Sequence, residues 1–502
     1  MSETYDADGI TLHKVRDYVW EIPQEGEMRV PARVLASERL LDEISDDKTL
    51  QQIKNTTHLP GITKYAICMP DGHQGYGFPV GGVGAMDAET GCISPGSVGY
   101  DVNCGVRMMK TNLTYDDVKG KERELVDQLF ANVPSGLGGG GIVETDKGTL
   151  EEILERGVEW AVENGHGIED DLLHCEDEGR RPDADPSKIS DKAKDRGRNQ
   201  VGSLGSGNHF LEVQRVTDVY RDDVASAYGL EEDQIVVLIH CGSRGLGHQT
   251  CNDYLREIEQ RHRGLLSQLP DKELAAAPAG SQLAEDYYGA MCAAINYAWV
   301  NRQLIMHRTR RVFEKVFGQD WQAMEMELLY DVAHNIAKKE THEVGVDSEG
   351  VAVPDEDAVD FEERELYVHR KGATRAFPAG RPEIPDVYEH VGQPIIIPGS
   401  MGAGSYILRG GEESMGLTFG STAHGAGRVM SRTEAKNTYW GEDVQNDLRD
   451  QQQIYVKAQS GATVAEEAPG VYKDVDEVVR VSDELGIGDK VVRTYPVANI
   501  KG

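Results

Sequence analysis

Five metal-ligating side chains stand in four short stretches scattered along this 502-residue chain, and any fold that gathers them must weave most of the sequence together. The stretches are Gly99-Tyr100-Asp101-Val102-Asn103-Cys104-Gly105, Gly207-Asn208-His209-Phe210, Leu238-Ile239-His240-Cys241 and Asp331-Val332-Ala333-His334-Asn335. One carboxylate, one thiol and three imidazoles form a donor set that borderline divalent metals accept and that a purely structural core rarely needs. If Asp101, Cys104, His209, His240 and His334 share a site, no domain boundary falls between them, and residues 1–502 are one interwoven domain. The expected fold is mixed α/β, with packed central β-sheets surrounded by helices.

Local patterns agree with a mixed class. Ile235-Val236-Val237-Leu238-Ile239 and Pro394-Ile395-Ile396-Ile397 are short, apolar and largely β-branched, which predicts buried strands. Residues 282–316 and 322–339 carry longer helical spacing, and Tyr287, Met291, Ala294, Ile295 and Trp299 would share one core-packing face. Residues 166–196 and 340–364, rich in acidic groups with Pro182, Pro186 and Pro354, are expected as surface excursions. No repeat of solenoid period is present.

Acidic residues number 86 against 52 basic ones, a formal charge of −34, spread in short runs such as Glu169-Asp170-Asp171. The reading we favour is adaptation to a cytoplasm of very high salt, where the Debye length falls to about 3 Å and a negative surface repels little beyond contact range. Acidity therefore does not exclude a nucleic-acid substrate; it transfers the work from counterion release to direct hydrogen bonds and metal contacts. Seven cysteines without a Cys-x-x-Cys pair argue against a disulfide framework. The first residues lack the basic and apolar regions of a secretory signal, and no apolar run reaches the roughly 20 residues needed to cross a bilayer. The expected location is the cytoplasm.

Glycine gathers where chemistry is suspected. The run from Asp71 to Gly84 contains six glycines, which suit either tight turns or close approach of backbone to a ligand. Gly136-Leu137-Gly138-Gly139-Gly140-Gly141 fits a dinucleotide pattern only formally, since no clear strand precedes it. Cys104, three residues from Asp101 and directly before Gly105, is placed so that its thiolate can bridge two divalent ions while the carboxylate holds one. Asn208 and Glu212, beside His209, are natural ligand-orienting groups. His424 lies among small residues in Gly420-Ser421-Thr422-Ala423-His424-Gly425-Ala426-Gly427-Arg428, where a nucleotide can approach closely.

Several of these stretches, taken in order over nearly the whole chain, resemble the RtcB-type RNA ligases. They are Met69-Pro70-Asp71-Gly72-His73-Gln74-Gly75-Tyr76-Gly77, Asp101-Val102-Asn103-Cys104-Gly105, Gly205-Ser206-Gly207-Asn208-His209-Phe210-Leu211-Glu212, His240-Cys241-Gly242-Ser243-Arg244-Gly245, Val368-His369-Arg370-Lys371-Gly372-Ala373-Thr374-Arg375 and His424-Gly425-Ala426-Gly427-Arg428. The resemblance implies a GTP- and manganese-dependent ligase that joins an RNA 3′-phosphate or 2′,3′-cyclic phosphate end to a 5′-hydroxyl end, as in tRNA splicing. Asp101, Cys104, His209, His240 and His334 then fall on the ligands of two Mn2+ ions, with the cysteine shared. His424 falls on the guanylylated nucleophile and Asp71 on an acidic residue needed for activity. Asn208, Glu212, Ser400, Ser405, Tyr472 and Lys501 fall on guanylate-contacting positions, with Gly425 and Gly427 in the same binding segment. Lys371, Arg375, Arg428 and Arg432 are candidate holders of RNA phosphates. The implied partners are tRNA exon halves or broken RNA ends and an archease-type activating protein.

Two departures stand out: Gly404, where a small non-glycine residue is expected and where a looser guanosine pocket follows, and the acidic 340–364 segment. The alternative function is a metal-dependent phosphoesterase, which accounts for the metal set but not for His424 among glycines or for Lys501. Lys-x-Asp-Gly and the P-loop pattern are both missing, which counts against a lysine-nucleophile ligase and a P-loop enzyme. Aromatic residues at 7% make a non-enzymatic RNA-binding module a weak fit.

Overall fold

Two large sheets organise the computed structural model, which describes residues 3–136 and 140–502. In the first, the order is Thr4–Ala7, Ile10–Arg16, Val19–Ile22, Ala32–Leu35, Ala66–Tyr76, Phe78–Asp87, Asp360–Lys371, Asn335–Val346. In the second it is Glu327–Ala333, Gly105–Thr114, Gln234–Cys241, Phe210–Val219, Gly488–Lys501, Ser405–Gly410, Pro394–Ile397, with Tyr455–Ala458 paired alongside Gly488–Lys501. Strands far apart in sequence are neighbours in both, so the fold is mixed α/β with chain-wide interweaving. One apolar core takes side chains from both sheets, Val83 and Leu366 from the first, Ile395 and Leu408 from the second.

The expected strands are present, and Gln234–Cys241 is buried along its whole length, as a continuous apolar run covered on both faces must be. Gln282–Phe317 is a single 36-residue helix, started by the Ser281 hydroxyl accepting from the Ala284 amide and ended at Gly318 with φ +69°. Tyr287, Met291, Ala294, Ile295 and Trp299 are buried, but so is nearly every other side chain over its first six turns, so this helix threads the core rather than lying on it. Among the described residues no helix is long and apolar enough to cross a membrane. All seven cysteines are free and buried.

Three expectations are corrected. Residues 322–339 hold a turn and two strands, not a helix: Glu327–Ala333 pairs with Gly105–Thr114, and Asn335 opens the next strand. Leu, Met and Ala favour a helix there locally, and pairing against a central strand overrides them. Residues 340–364 are not one loop; they form the outer half of a long hairpin in which Asn335–Val346 runs in unbroken register with Asp360–Lys371. Residues 166–196 are partly interior, because Asp171 pairs with Arg310 at 2.7 Å and Glu176 with Lys338, all four buried. The glycine run at 136–141 falls partly outside the described residues, at 137–139.

Candidate active site

Strand register alone brings the five donors together. Gly105 pairs with both Cys241 and Ala333, and Phe210 pairs with both His240 and Lys501. Cys104, His209, His240 and His334 therefore sit at one end of four adjacent strands. His334 is also the residue at which the chain leaves the second sheet and enters the first. The Asp101–Cys104 turn is closed by the Cys104 amide donating to the Asp101 carbonyl at 2.9 Å, with Asn103 left-handed at φ +51°. Asparagine tolerates that region, and its side-chain amide is tied to the Ile295 carbonyl at 3.0 Å.

Two donor triads share one thiol. Cys104, His240 and His334 form the first; Asp101, Cys104 and His209 form the second; within each, the donor atoms lie within 4.8 Å of one another. Cys104 Sγ is 3.2 Å from His240 Nε2 and 3.4 Å from His209 Nε2, His240 Nε2 is 3.3 Å from His334 Nε2, and His209 Nε2 is 2.8 Å from Asp101 Oδ2. Backbone carbonyls aim two of the rings: His209 Nδ1 donates to Leu204 at 2.9 Å and His240 Nδ1 to Asn208 at 3.0 Å, which turns each Nε2 toward the centre.

The electrostatics fit a cation. Burial, reinforced by neighbouring imidazoles, holds His240 and His334 well below the ordinary histidine value, so both are neutral. Burial opposes ionisation of Asp101, but His209 and Arg244 outweigh it and hold the carboxyl at about 2. Burial and the Asp101 charge push the Cys104 thiol well above its usual range, so a metal is what would draw off its proton. Neutral nitrogens packed against a thiol and a carboxylate, with one imidazole nitrogen of His334 buried and unpartnered, are a donor set a divalent ion satisfies.

Facing these ligands is His424, whose ring centroid is 4.8 Å from that of His334. It follows the short Ser421–Ala423 strand, which pairs with Ala373–Arg375. Asp71, fully buried, holds its other side: Oδ2 accepts from the backbone amides of His424 at 3.0 Å and Gly425 at 3.2 Å and lies 2.6 Å from His424 Nδ1. Burial would raise the Asp71 carboxyl, but the His424 charge and these hydrogen bonds win, and it stays below its usual value. Gly427, φ +76°, is sterically required, since a Cβ there would lie 2.1 Å from the Asp71 carbonyl oxygen.

One cavity of about 270 Å³ joins His424 to Asp101, Cys104, His240 and His334. Asn208, Ser400, Gly425, Gly427, Tyr472 and Lys501 also line it. Glu212 and Ser405 do not; they are buried together behind it, joined through Gln214. Gly404 does not loosen this region, because a Cβ there would meet the Thr494 carbonyl at 2.7 Å and the glycine lets two strands close.

The four basic candidates separate. Arg375 is buried away from the cavity, paired with Asp177 at 3.2 Å and bonded to Gln393 at 2.9 Å, so its charge is neutralised inside the protein and it is not placed to hold RNA. Lys371 lines the cavity, yet its Nζ donates to the carbonyls of Tyr76, Phe78 and Gly96, and burial lowers it to about 7. Arg428 is bound to Glu467 at 3.1 Å and to the Glu466 carbonyl at 2.8 Å. Arg432 lines the cavity with an exposed side chain and only a 3.9 Å approach to Glu466.

Sequence reasoning missed two supports. Arg302, buried in the long helix, donates to the carbonyls of Asn103 at 2.8 Å and Cys241 at 2.6 Å and pairs with Asp331 at 2.8 Å, clamping the Cys104 turn to the His240 strand. Inside an apolar helical stretch nothing marks it except its charge. Glu467, fully buried, accepts from Tyr472 and Arg428 and lies 3.9 Å from Lys501.

A family model described as tRNA-splicing ligase RtcB matches residues 52–502. The chain is 53% identical to the tRNA-splicing ligase RtcB of Thermococcus kodakarensis over 494 residues, covering 98% of this chain and 99% of that one. It is 51% identical to the protein of the same description from Aeropyrum pernix over 497 residues, 98% and 100% of the two chains. With that from Pyrobaculum aerophilum it shares 50% over 496 residues, 98% and 99%.

Proposed function

This chain belongs to the tRNA-splicing ligase RtcB family and is an RNA ligase, and on that premise we propose that it joins RNA 3′-phosphate or 2′,3′-cyclic phosphate ends to 5′-hydroxyl ends, using GTP through a guanylate carried on His424. The observation that carries this reading is the placement of His424 between the buried Asp71 carboxylate and the metal-ligand wall, in a single cavity.

Asp71 occupies Nδ1 of His424, so Nε2 is the nitrogen left to attack the α-phosphorus of GTP. A P–N bond forms, the bond to the bridging oxygen breaks, and pyrophosphate leaves; Asp71 stabilises the positive imidazole that results. A 2′,3′-cyclic end is first opened by water to the 3′-phosphate. An oxygen of that phosphate then attacks the guanylate phosphorus, freeing His424. Finally the 5′-hydroxyl attacks the activated 3′-phosphorus, loses its proton and expels GMP. Asn208, Ser400, Tyr472 and Lys501 line the space a guanylate on His424 would occupy, and Gly425, which also lines it, adds no side chain there. Two Mn2+ ions held by Asp101, Cys104, His209, His240 and His334 would neutralise phosphate charge when bound.

Residues 1–502 are read as one ligase domain, since the second sheet needs strands from Gly105 to Lys501. The substrates are taken to be tRNA exon halves or broken RNA ends, with an archease-type protein as activator, in the cytoplasm of a cell whose salt matches the acidic composition. Incubation with manganese and α-labelled GTP should leave an acid-labile guanylate on the protein, lost in His424→Ala. A phosphoesterase would give no adduct, and an adduct that survives the substitution would place the nucleophile elsewhere.

A further inference from the structure

A ligase must hold more of an RNA strand than its reacting phosphate. Beside the cavity, Arg432 heads the Arg432–Thr438 helix, and Lys436 follows one turn later on the same face. Trp440 ends the segment with 69% of its surface exposed, whereas Trp20, Trp160 and Trp299 are buried and Trp321 is packed against a core. The indole borders a second depression of about 600 Å³, shared with Lys436, Tyr439 and Gly461. Its floor is closely packed backbone, since a Cβ at Gly441 would lie 2.0 Å from the Gly461 carbonyl oxygen.

We propose that this depression is a subsite for an unpaired base of the bound RNA, stacked on Trp440, with Lys436 and Arg432 against the phosphates that lead to the cavity. The proposal rests on the RNA ligase reading of the main site. Every base has a π-face, so such a subsite is sequence-tolerant, as a ligase acting on different ends requires. The charges set the balance between the two contributions. Glu466 lies 2.5 Å from Lys436 and 3.9 Å from Arg432, and Glu442 also borders the depression, so the local field is nearly neutral. Stacking therefore carries most of the contact. Unlike an ion pair, it survives the short Debye length of molar salt.

The test uses the full chain, a 3′-phosphorylated single-stranded RNA, and low and molar salt. Trp440→Ala is expected to raise the RNA Kd and the ligation KM roughly tenfold at both salt concentrations, with kcat, melting temperature and the labelled guanylate adduct unchanged. Trp440→Phe keeps most of the affinity. Wild-type RNA affinity in Trp440→Ala overturns the proposal, including the case where only the response to an activating protein is lost. A loss confined to low salt, matching that of Lys436→Ala, also overturns it, because the contact is then ionic. RNA binding that depends on Trp440 in a protein forming no adduct supports the subsite and faults the ligase reading instead.

Discussion

The two walls of the cavity solve opposite problems. On the metal wall, backbone carbonyls aim His209 and His240 so that nitrogen, thiol and carboxylate converge with little protein to satisfy them. On the opposite side, polar side chains satisfy one another: Arg428 and Tyr472 on Glu467 at the cavity, and Glu212 on Gln214 and Asn499 behind it. On the proposed function, the first is organised in advance for a cation, while the second exchanges partners when a nucleotide arrives. On that reading, preorganisation lies with the metal side and adaptability with the nucleotide side.

The largest break in this contrast is expected from Cys104→Ala, which removes the atom both triads share. Metal affinity should fall by more than the roughly 10–100-fold that loss of an outer partner costs, and the guanylate adduct should vanish. Metal titration by calorimetry reads the first and labelled GTP the second; full metal occupancy in the variant would sink the shared-thiol geometry.

That geometry was legible in the sequence to the extent that the ligands lie in Gly-rich or strand-like stretches, where a lone Cys or His has little packing reason to be. The parts that were not legible depend on long-range pairing. Arg302 looks like a charge interrupting a core helix until Asp331 and the Asn103 carbonyl come beside it. Residues 327–333 have helical composition and become a strand only because Gly105–Thr114 lies next to them. Arg375 carries a phosphate-binding charge in the sequence, and in the fold Glu176 and Asp177 consume it. Acidic runs read as surface likewise concealed Asp171 and Glu176, the interior partners of Arg310 and Lys338.

A smaller effect is expected beneath the metal wall. Arg302→Met leaves the Asn103 and Cys241 carbonyls without their buried donor and should destabilise the chain by about 3–5 kcal/mol, measured by denaturant unfolding. If the clamp positions the ligands as well as the fold, metal affinity falls with it; unchanged affinity in the folded variant would separate the two.

The polar residues behind the cavity should answer more gently, through pH. Burial raises Glu212 from 4.5 to about 7, with Lys501 and hydrogen bonds from Gln214 and Asn499 opposing it. A carboxyl with a raised folded value contributes stability that is complete below about 4.5 and is lost as pH climbs through about 7. Glu212→Gln stays neutral throughout, so the melting temperature of the wild type should fall relative to the variant across that window. Parallel profiles would show that Glu212 is already compensated.

One thiol serving two ions beside one imidazole is the arrangement at stake, and anomalous diffraction from manganese-loaded crystals addresses it directly. It predicts two peaks flanking Cys104 Sγ, one toward His240 and His334 and the other toward Asp101 and His209, with His424 at the edge of the same cavity. Peaks that do not meet at Cys104, or that lie away from His424, would contradict it.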